Sequence, residues 1–166
     1  LTHSVAIADP TQIHQIIMNL CTNASQAMQQ TGGKLSISLE DMEISESRHI
    51  PSLGIKAGSY IRLEINDTGE GMDSETLSRI FEPYFTTKGI GEGTGLGLAV
   101  VLGIVQEYKG YLKAYSEIGK GTTFHVYFPI SKSPVDMNQQ DDQKESTKKG
   151  TERIMVVDDD SSILSS

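Results

Sequence analysis

Tyr60-Ile61-Arg62-Leu63-Glu64-Ile65-Asn66-Asp67-Thr68-Gly69-Glu70-Gly71-Met72 is the stretch on which the reading of this chain turns. Ile61, Leu63 and Ile65 alternate with Tyr60, Arg62, Glu64 and Asn66, and a period of two is the signature of a strand. The strand runs straight into Asp-x-Gly-x-Gly. A carboxylate at a strand end can accept a hydrogen bond from an exocyclic amine, such as that of adenine. Glycines beside it let a flat ring approach the backbone closely. The same five residues serve equally well as a tight turn, so the flanking sequence has to decide.

Upstream, Ser4 to Ala8 is a short strand candidate. Asp9-Pro10 then starts a helix, with Asp9 as N-cap, Pro10 in the first helical position and Gln12 placed for a capping box. Ile13, Ile16, Ile17, Leu20, Cys21, Ala24, Ala27 and Met28 follow at helical spacing, and Gly32-Gly33 is expected to end the helix. Lys34 to Glu43 alternates, with Leu35, Ile37 and Leu39 on one face, and forms a hairpin with the strand at Tyr60. A polar loop, Ile44 to Lys56, joins the two. Downstream, Asp73 to Phe81 reads as a short helix and Leu98 to Tyr108, apolar nearly all round, as a buried one. Tyr111 to Ser116 and Thr122 to Pro129 are two further strands, turning around Gly119-Lys120-Gly121. This order predicts an α/β fold, a two-layer sandwich of a mixed, mostly antiparallel sheet packed on helices.

Three more constellations lie along this frame. Asn19 and Asn23 are four apart and share one side of the first helix. Amide oxygens there can ligate magnesium, which prefers oxygen ligands, although two surface amides would look the same. Gly93-Thr94-Gly95-Leu96-Gly97-Leu98 runs into a helix, where freed N–H groups and the helix terminus favour a phosphate. The spacing is GxGxG with no strand directly before it, which excludes a dinucleotide fingerprint, and a classical P-loop fails for want of GK[ST]. Phe81-Glu82-Pro83-Tyr84-Phe85-Thr86-Thr87-Lys88 lies between the glycine motifs. Its aromatics can pin one end of a mobile lid, and Lys88 can reach a terminal phosphate.

Taken together and in this order, the motifs resemble the nucleotide-binding GHKL superfamily, and specifically the histidine-kinase catalytic domain. Asn19 to Ala24 resembles its asparagine box, Asp67 to Met72 its first glycine box, Phe81 to Lys88 its phenylalanine box and Gly93 to Leu98 its second glycine box. Gly119 to Phe124 resembles its closing strand motif. The likeness covers about residues 5 to 130 and implies the Bergerat ATP-binding fold with ATP and Mg2+ as cofactors. It implies that Asn23 ligates magnesium with Asn19 in support, and that Asp67 takes the adenine amine. Gly69 and Gly71 would shape the adenine pocket, and Thr122 would lie near the base. Gly93, Thr94, Gly95, Leu96, Gly97 and Leu98 would cradle phosphate, with Lys88 beside them. Gln26 and Ala27 depart from the commonest pattern, which has Lys and an aromatic there, so the residue that neutralises the phosphates is left open.

The implied reaction moves the γ-phosphoryl of ATP to a histidine. His3, His14, His49 and His125 sit in no acceptor motif, so the acceptor belongs to a helical dimerisation domain upstream. Two other readings compete. One is a hydrolase of the gyrase or mismatch-repair kind, but such enzymes resemble this fold with a Glu where this chain has Asn19, which cannot act as a base. The other is a nucleotide-sensing or docking module.

Bulk properties agree with this picture. A net charge of -8 with no Lys/Arg stripe excludes a nucleic-acid footprint and disfavours anionic lipid. One cysteine, Cys21, forbids an internal disulfide and suits the cytoplasm, and it reads as a small core residue. No run of 18 apolar residues spans a membrane. A start at Leu1 suggests a fragment, expected to be monomeric, of a homodimeric parent that is itself soluble or membrane-anchored. Residues 131–152 read as a flexible linker. Arg153-Ile154-Met155-Val156-Val157 with Asp158-Asp159 resembles the first strand of a response-regulator receiver domain, expected to be disordered when truncated at residue 166. A hybrid sensor kinase with a downstream receiver is the implied parent.

Overall fold

Asp9 ends the leading segment and starts the first helix. Its side chain accepts the Thr11 N–H at 2.7 Å, and Pro10 stands where a missing N–H costs nothing. Helix α1 spans Pro10–Ala27. The capping box expected of Gln12 is replaced by a device from afar. The Asp9 N–H donates to the Tyr108 hydroxyl at 2.9 Å, and that hydroxyl donates to Gln12 Oε1. Gln12 Nε2 in turn reaches Glu107 at 3.3 Å. The helix stops at Ala27, short of the glycine pair, where the Met28 N–H folds back onto Ala24 and Ser25 carbonyls.

The computed structural model describes residues 4–45, 55–87 and 93–131. After α1 come β1 (Leu35–Ile44), β2 (Gly58–Asp67), α2 (Ser74–Arg79), α3 (Gly97–Glu107), β3 (Tyr111–Glu117) and β4 (Gly121–Pro129). The strands form one sheet in the order β1-β2-β4-β3, and each neighbouring pair is antiparallel. Residues 4–8 do not become a strand. The bond from the Ser131 N–H to the Val5 carbonyl, 2.8 Å, ties them to the sheet, and one bond does not make a ladder.

The helices cover one face of the sheet. Rows of side chains cross it: Leu39, Leu63, Val126 and Leu112 in one, then Ile37, Ile65, Phe124 and Ala114. Ile16 and Leu20 of α1 and Val101, Ile104 and Val105 of α3 pack down on these rows. Ile16 and Leu20 have no exposed surface, and burying each contributes about 1.5–3 kcal/mol. The cover is narrower than the sheet. Leu35, Ile37 and Leu39 on the β1 edge stay 37%, 51% and 50% exposed, so the expected apolar face of β1 is only the fringe of the core. Likewise α3 is not buried all round: Val100 and Gly103 look outward, because a single layer of helices always has an outer side.

Candidate functional site

The covered face of the sheet changes from apolar to polar in a single row. One step beyond Ile65, Phe124 and Ala114 stand Asp67 on β2, Thr122 on β4 and Ser116 on β3. Period-two alternation carries all three onto the same face. Asp67 and Thr122 are only 3% and 5% exposed, the two buried polar side chains among the described residues. Asp67 Oδ1 accepts the Gly69 N–H at 2.9 Å and the Thr122 N–H at 3.2 Å. Two backbone donors occupy that oxygen, and Oδ2 is left as an acceptor.

The loop after Asp67 is stapled on both sides. The Glu70 N–H donates to the Ala27 carbonyl at the end of α1, 3.1 Å. The Gly119 N–H of the β3–β4 turn donates to the Glu70 carbonyl, 2.7 Å. The glycines serve these contacts. A Cβ on Gly69 would lie 2.7 Å from the Ala27 carbonyl oxygen, and one on Gly71 would lie 2.0 Å from that of Glu117. A Cβ on Gly121 would lie 2.0 Å from the Asp67 oxygen. On the side where a Cβ would stand, the space at these glycines is therefore filled by protein backbone.

A second cluster lies at the start of α3. Leu96 is its N-cap and makes no side-chain cap bond, so the first N–H groups of the helix, at Gly97, Leu98 and Ala99, point outward unpaired by the helix. The Leu98 side chain packs into the core, leaving only its N–H for a ligand. Thr94 Oγ1 accepts the Leu96 N–H at 3.4 Å, and Gly93 is exposed. Gly95 adopts φ +65°, and a Cβ there would lie 2.5 Å from the Tyr84 backbone. The Tyr84 N–H donates to the Gly95 carbonyl at 2.9 Å. The aromatic stretch and the glycine motif are thus tied together at Tyr84 and Gly95, with Phe81 and Phe85 packed against the core and Arg79 stacked 4.3 Å over Phe85. Tyr84 is the aromatic that does not pack; it is 76% exposed. Lys88 lies outside the described residues.

Helix α1 joins the two clusters along one edge. Asn19 Oδ1 lies 3.3 Å from the position of a Cβ on Gly97, so Asn19 faces the start of α3. Ala27 touches the loop after Asp67. Asn23 is four residues from each, about 6 Å along the helix from both. The side chains of Asn19 and Asn23 make no hydrogen bond to another described residue. No group of three or more His, Cys, Asp or Glu among the described residues has the geometry to hold a metal, so a cation here would rely on amide oxygens, water and its ligand's own oxygens. Two shallow depressions, of about 560 and 310 Å3, open beside Pro10, His14 and Met18 on the other flank of α1 and share no residue with this constellation.

Ser116 was missed in the sequence. Its hydroxyl accepts the Met72 N–H at 2.8 Å, donates to the Gly121 carbonyl at 3.0 Å and lies 2.9 Å from the Thr122 hydroxyl. The available signal was a polar residue at the core-facing position after Leu112 and Ala114. Cys21 behaves as expected: burial pushes its thiol up, away from reactivity.

The sequence model of the histidine kinase-, DNA gyrase B-, and HSP90-like ATPases matches residues 8–132. The sensor kinase CckA of Brucella abortus is 32% identical over 94% of this chain and 17% of its own length. The sensor histidine kinase ZraS of Escherichia coli is 39% identical over 75% of this chain and 23% of its own. The chain therefore spans about a fifth of the length of these curated relatives. Among solved structures, the catalytic domain of the histidine kinase ThkA superposes with a TM-score of 0.56 at 30% identity, covering 74% of this chain and 68% of that one.

Proposed function

The chain belongs to the histidine kinase-, DNA gyrase B-, and HSP90-like ATPase family, and from that premise we propose that it binds Mg-ATP and passes the γ-phosphoryl group to a histidine on a separate dimerisation domain in two-component signalling. The observation that carries this reading is the edge of α1: Asn19 faces the uncapped start of α3, Ala27 touches the Asp67 loop, and Asn23 lies between. That spacing suits a ligand with a base at one end and phosphates at the other.

In this reading Asp67 Oδ2 accepts the 6-amino group of adenine and Thr122 lies beside the base. Gly69 and Gly71 act by letting the loop close. The N–H groups of Gly97 and Leu98, with Gly93, Thr94, Gly95 and Leu96 ahead of them, receive the phosphates. Asn23 holds magnesium through its amide oxygen with Asn19 in support, and Lys88 completes the charge around the terminal phosphate. Bound magnesium supplies charge neutralisation on the phosphate oxygens. Catalysis then rests on positioning. Asn19 stands where a hydrolase of this family would need a carboxylate, which favours transfer over hydrolysis.

We assign residues 1–130 to the catalytic domain, 131–152 to a linker and 153–166 to the first strand of a receiver domain; residues 132–166 lie outside the described ones. The likeness to CckA runs over 163 residues, past the end of the family match at residue 132, which supports a hybrid parent whose similarity continues into the tail. The upstream dimerisation domain and the downstream receiver are the proposed partners. The parent acts as a homodimer on the cytoplasmic side, and this segment by itself is a monomer. No helix among the described residues is long and apolar enough to cross a membrane.

Calorimetric titration with ATP, with and without magnesium, tests the site. Asp67→Asn should weaken ATP about ten- to a hundredfold, since it turns a charged acceptor into a partial donor. Asn23→Ala should flatten the magnesium dependence. Unchanged binding in both variants removes the assignment.

A further inference from the structure

Asp67, Thr122 and Ser116 form one polar row, and the direction of each hydrogen bond in it follows from elementary valence. A serine hydroxyl has one proton and two lone pairs. The Met72 N–H, 2.8 Å from Ser116 Oγ, takes one lone pair. The Gly121 carbonyl, 3.0 Å away, can only accept, and so takes the proton. The Thr122 hydroxyl at 2.9 Å is left with the second lone pair and must donate its own proton to Ser116. The opposite sense would set two oxygens, Ser116 Oγ and the Gly121 carbonyl, 3.0 Å apart with no hydrogen between them. Thr122 therefore turns only lone pairs toward anything that comes beside it. Asp67, with Oδ1 taken by two backbone donors, offers an acceptor at Oδ2.

We propose that Ser116 is a positioning residue that fixes Thr122 as a hydrogen-bond acceptor, so that Asp67 and Thr122 form a two-acceptor wall that admits the 6-amino edge of adenine and rejects a 6-oxo purine. This rests on the nucleotide reading above and adds to it the residue that sets base selectivity. Selection by buried acceptors is effective because a 6-oxo group turned against them brings no proton where the amine brings two, and the N1–H of such a base lies one atom away from that position. The same Ser116 oxygen also holds the Met72 end of the loop against β3, so the wall and the loop are set together.

The test is a titration of the chain and its variants with ADP and with inosine diphosphate, which keeps the phosphates, replaces the 6-amino group by an oxo group and carries a proton on N1. The unaltered chain should prefer ADP. Ser116→Ala frees the Thr122 proton and should shrink that preference about three- to tenfold. Ser116→Thr, which keeps the hydroxyl, should restore most of it. Equal weakening of both nucleotides in Ser116→Ala, with the preference unchanged, would mean a purely structural residue and overturn the proposal. Should Ser116→Ala fail to fold, Ser116→Cys carries the same comparison with a poor donor of similar size. Equal binding of ADP and inosine diphosphate by the unaltered chain overturns this proposal alone, whereas no binding of either overturns the nucleotide reading with it.

Discussion

Gly71 and Gly119 look alike in the sequence and differ completely in the fold. Both have positive φ, +68° and +75°. A Cβ on Gly119 meets nothing within 4 Å, whereas one on Gly71 would enter the Glu117 carbonyl. Gly119→Ala should therefore cost about 1 kcal/mol, the strain of a left-handed alanine. Gly71→Ala adds a backbone collision and should cost about 2 kcal/mol more, or prevent closure of the Asp67 loop. Denaturant titration of the two variants separates these, and equal losses would refute the contact. The alternation of β2 and the Asp-x-Gly-x-Gly motif were enough to place Asp67 at a strand end. They said nothing of what stands against each glycine, because Gly69 meets the end of α1 and Gly71 meets β3, both far away in the sequence.

Among the elements, α1 shows how a local rule is met by a distant partner. Asp9 caps it as its sequence implies, but the role drawn up for Gln12 is shared with the Tyr108 hydroxyl at the end of α3. Tyr108→Phe should leave the Asp9 N–H and Gln12 without that link and cost about 1 kcal/mol, read as a fall in melting temperature; an unchanged melting temperature would show that water replaces the hydroxyl at no cost. On the face of the sheet away from the helices, His125 Nε2 meets Glu64 at 2.9 Å, and Arg62 bridges Glu64 at 3.4 Å and Glu40 at 2.6 Å. Burial, with Arg62 nearby, holds His125 below its ordinary 6.5, and the pull of Glu64 and Glu40 only partly offsets this. Below about 6.5 the unfolded chain thus binds a proton that the folded chain refuses. Stability should be level above that pH and fall as pH drops toward the depressed value. His125→Gln should lack that component. Urea denaturation at pH 7.5 and 5.5 decides it, and identical pH dependence in both proteins would exclude His125 as the cause. The alternation of Glu64 and His125 was legible in the sequence, but their pairing required the β2–β4 register.

At the scale of the molecule, a domain that positions nucleotide without an acceptor should bind and do little else. ATP should be hydrolysed negligibly by this chain alone, and labelled phosphate should appear on protein only when the helical dimerisation domain is supplied. Rapid phosphate release without it would instead favour the hydrolase reading. The sequence by itself determined the element types, their order, the hairpin and the likeness that names Asn23 and Asp67, since periodicity, caps and short motifs act over a few residues. It overreached at Ser4 to Ala8, where β-like composition did not become a strand. Tertiary structure alone decided that Ser116 joins Asp67 and Thr122, that the glycines admit backbone, and that Asn23 stands midway between the two clusters. Those facts depend on which strands become neighbours, and strand neighbours are chosen by the packing of the whole core, to which no short stretch has access.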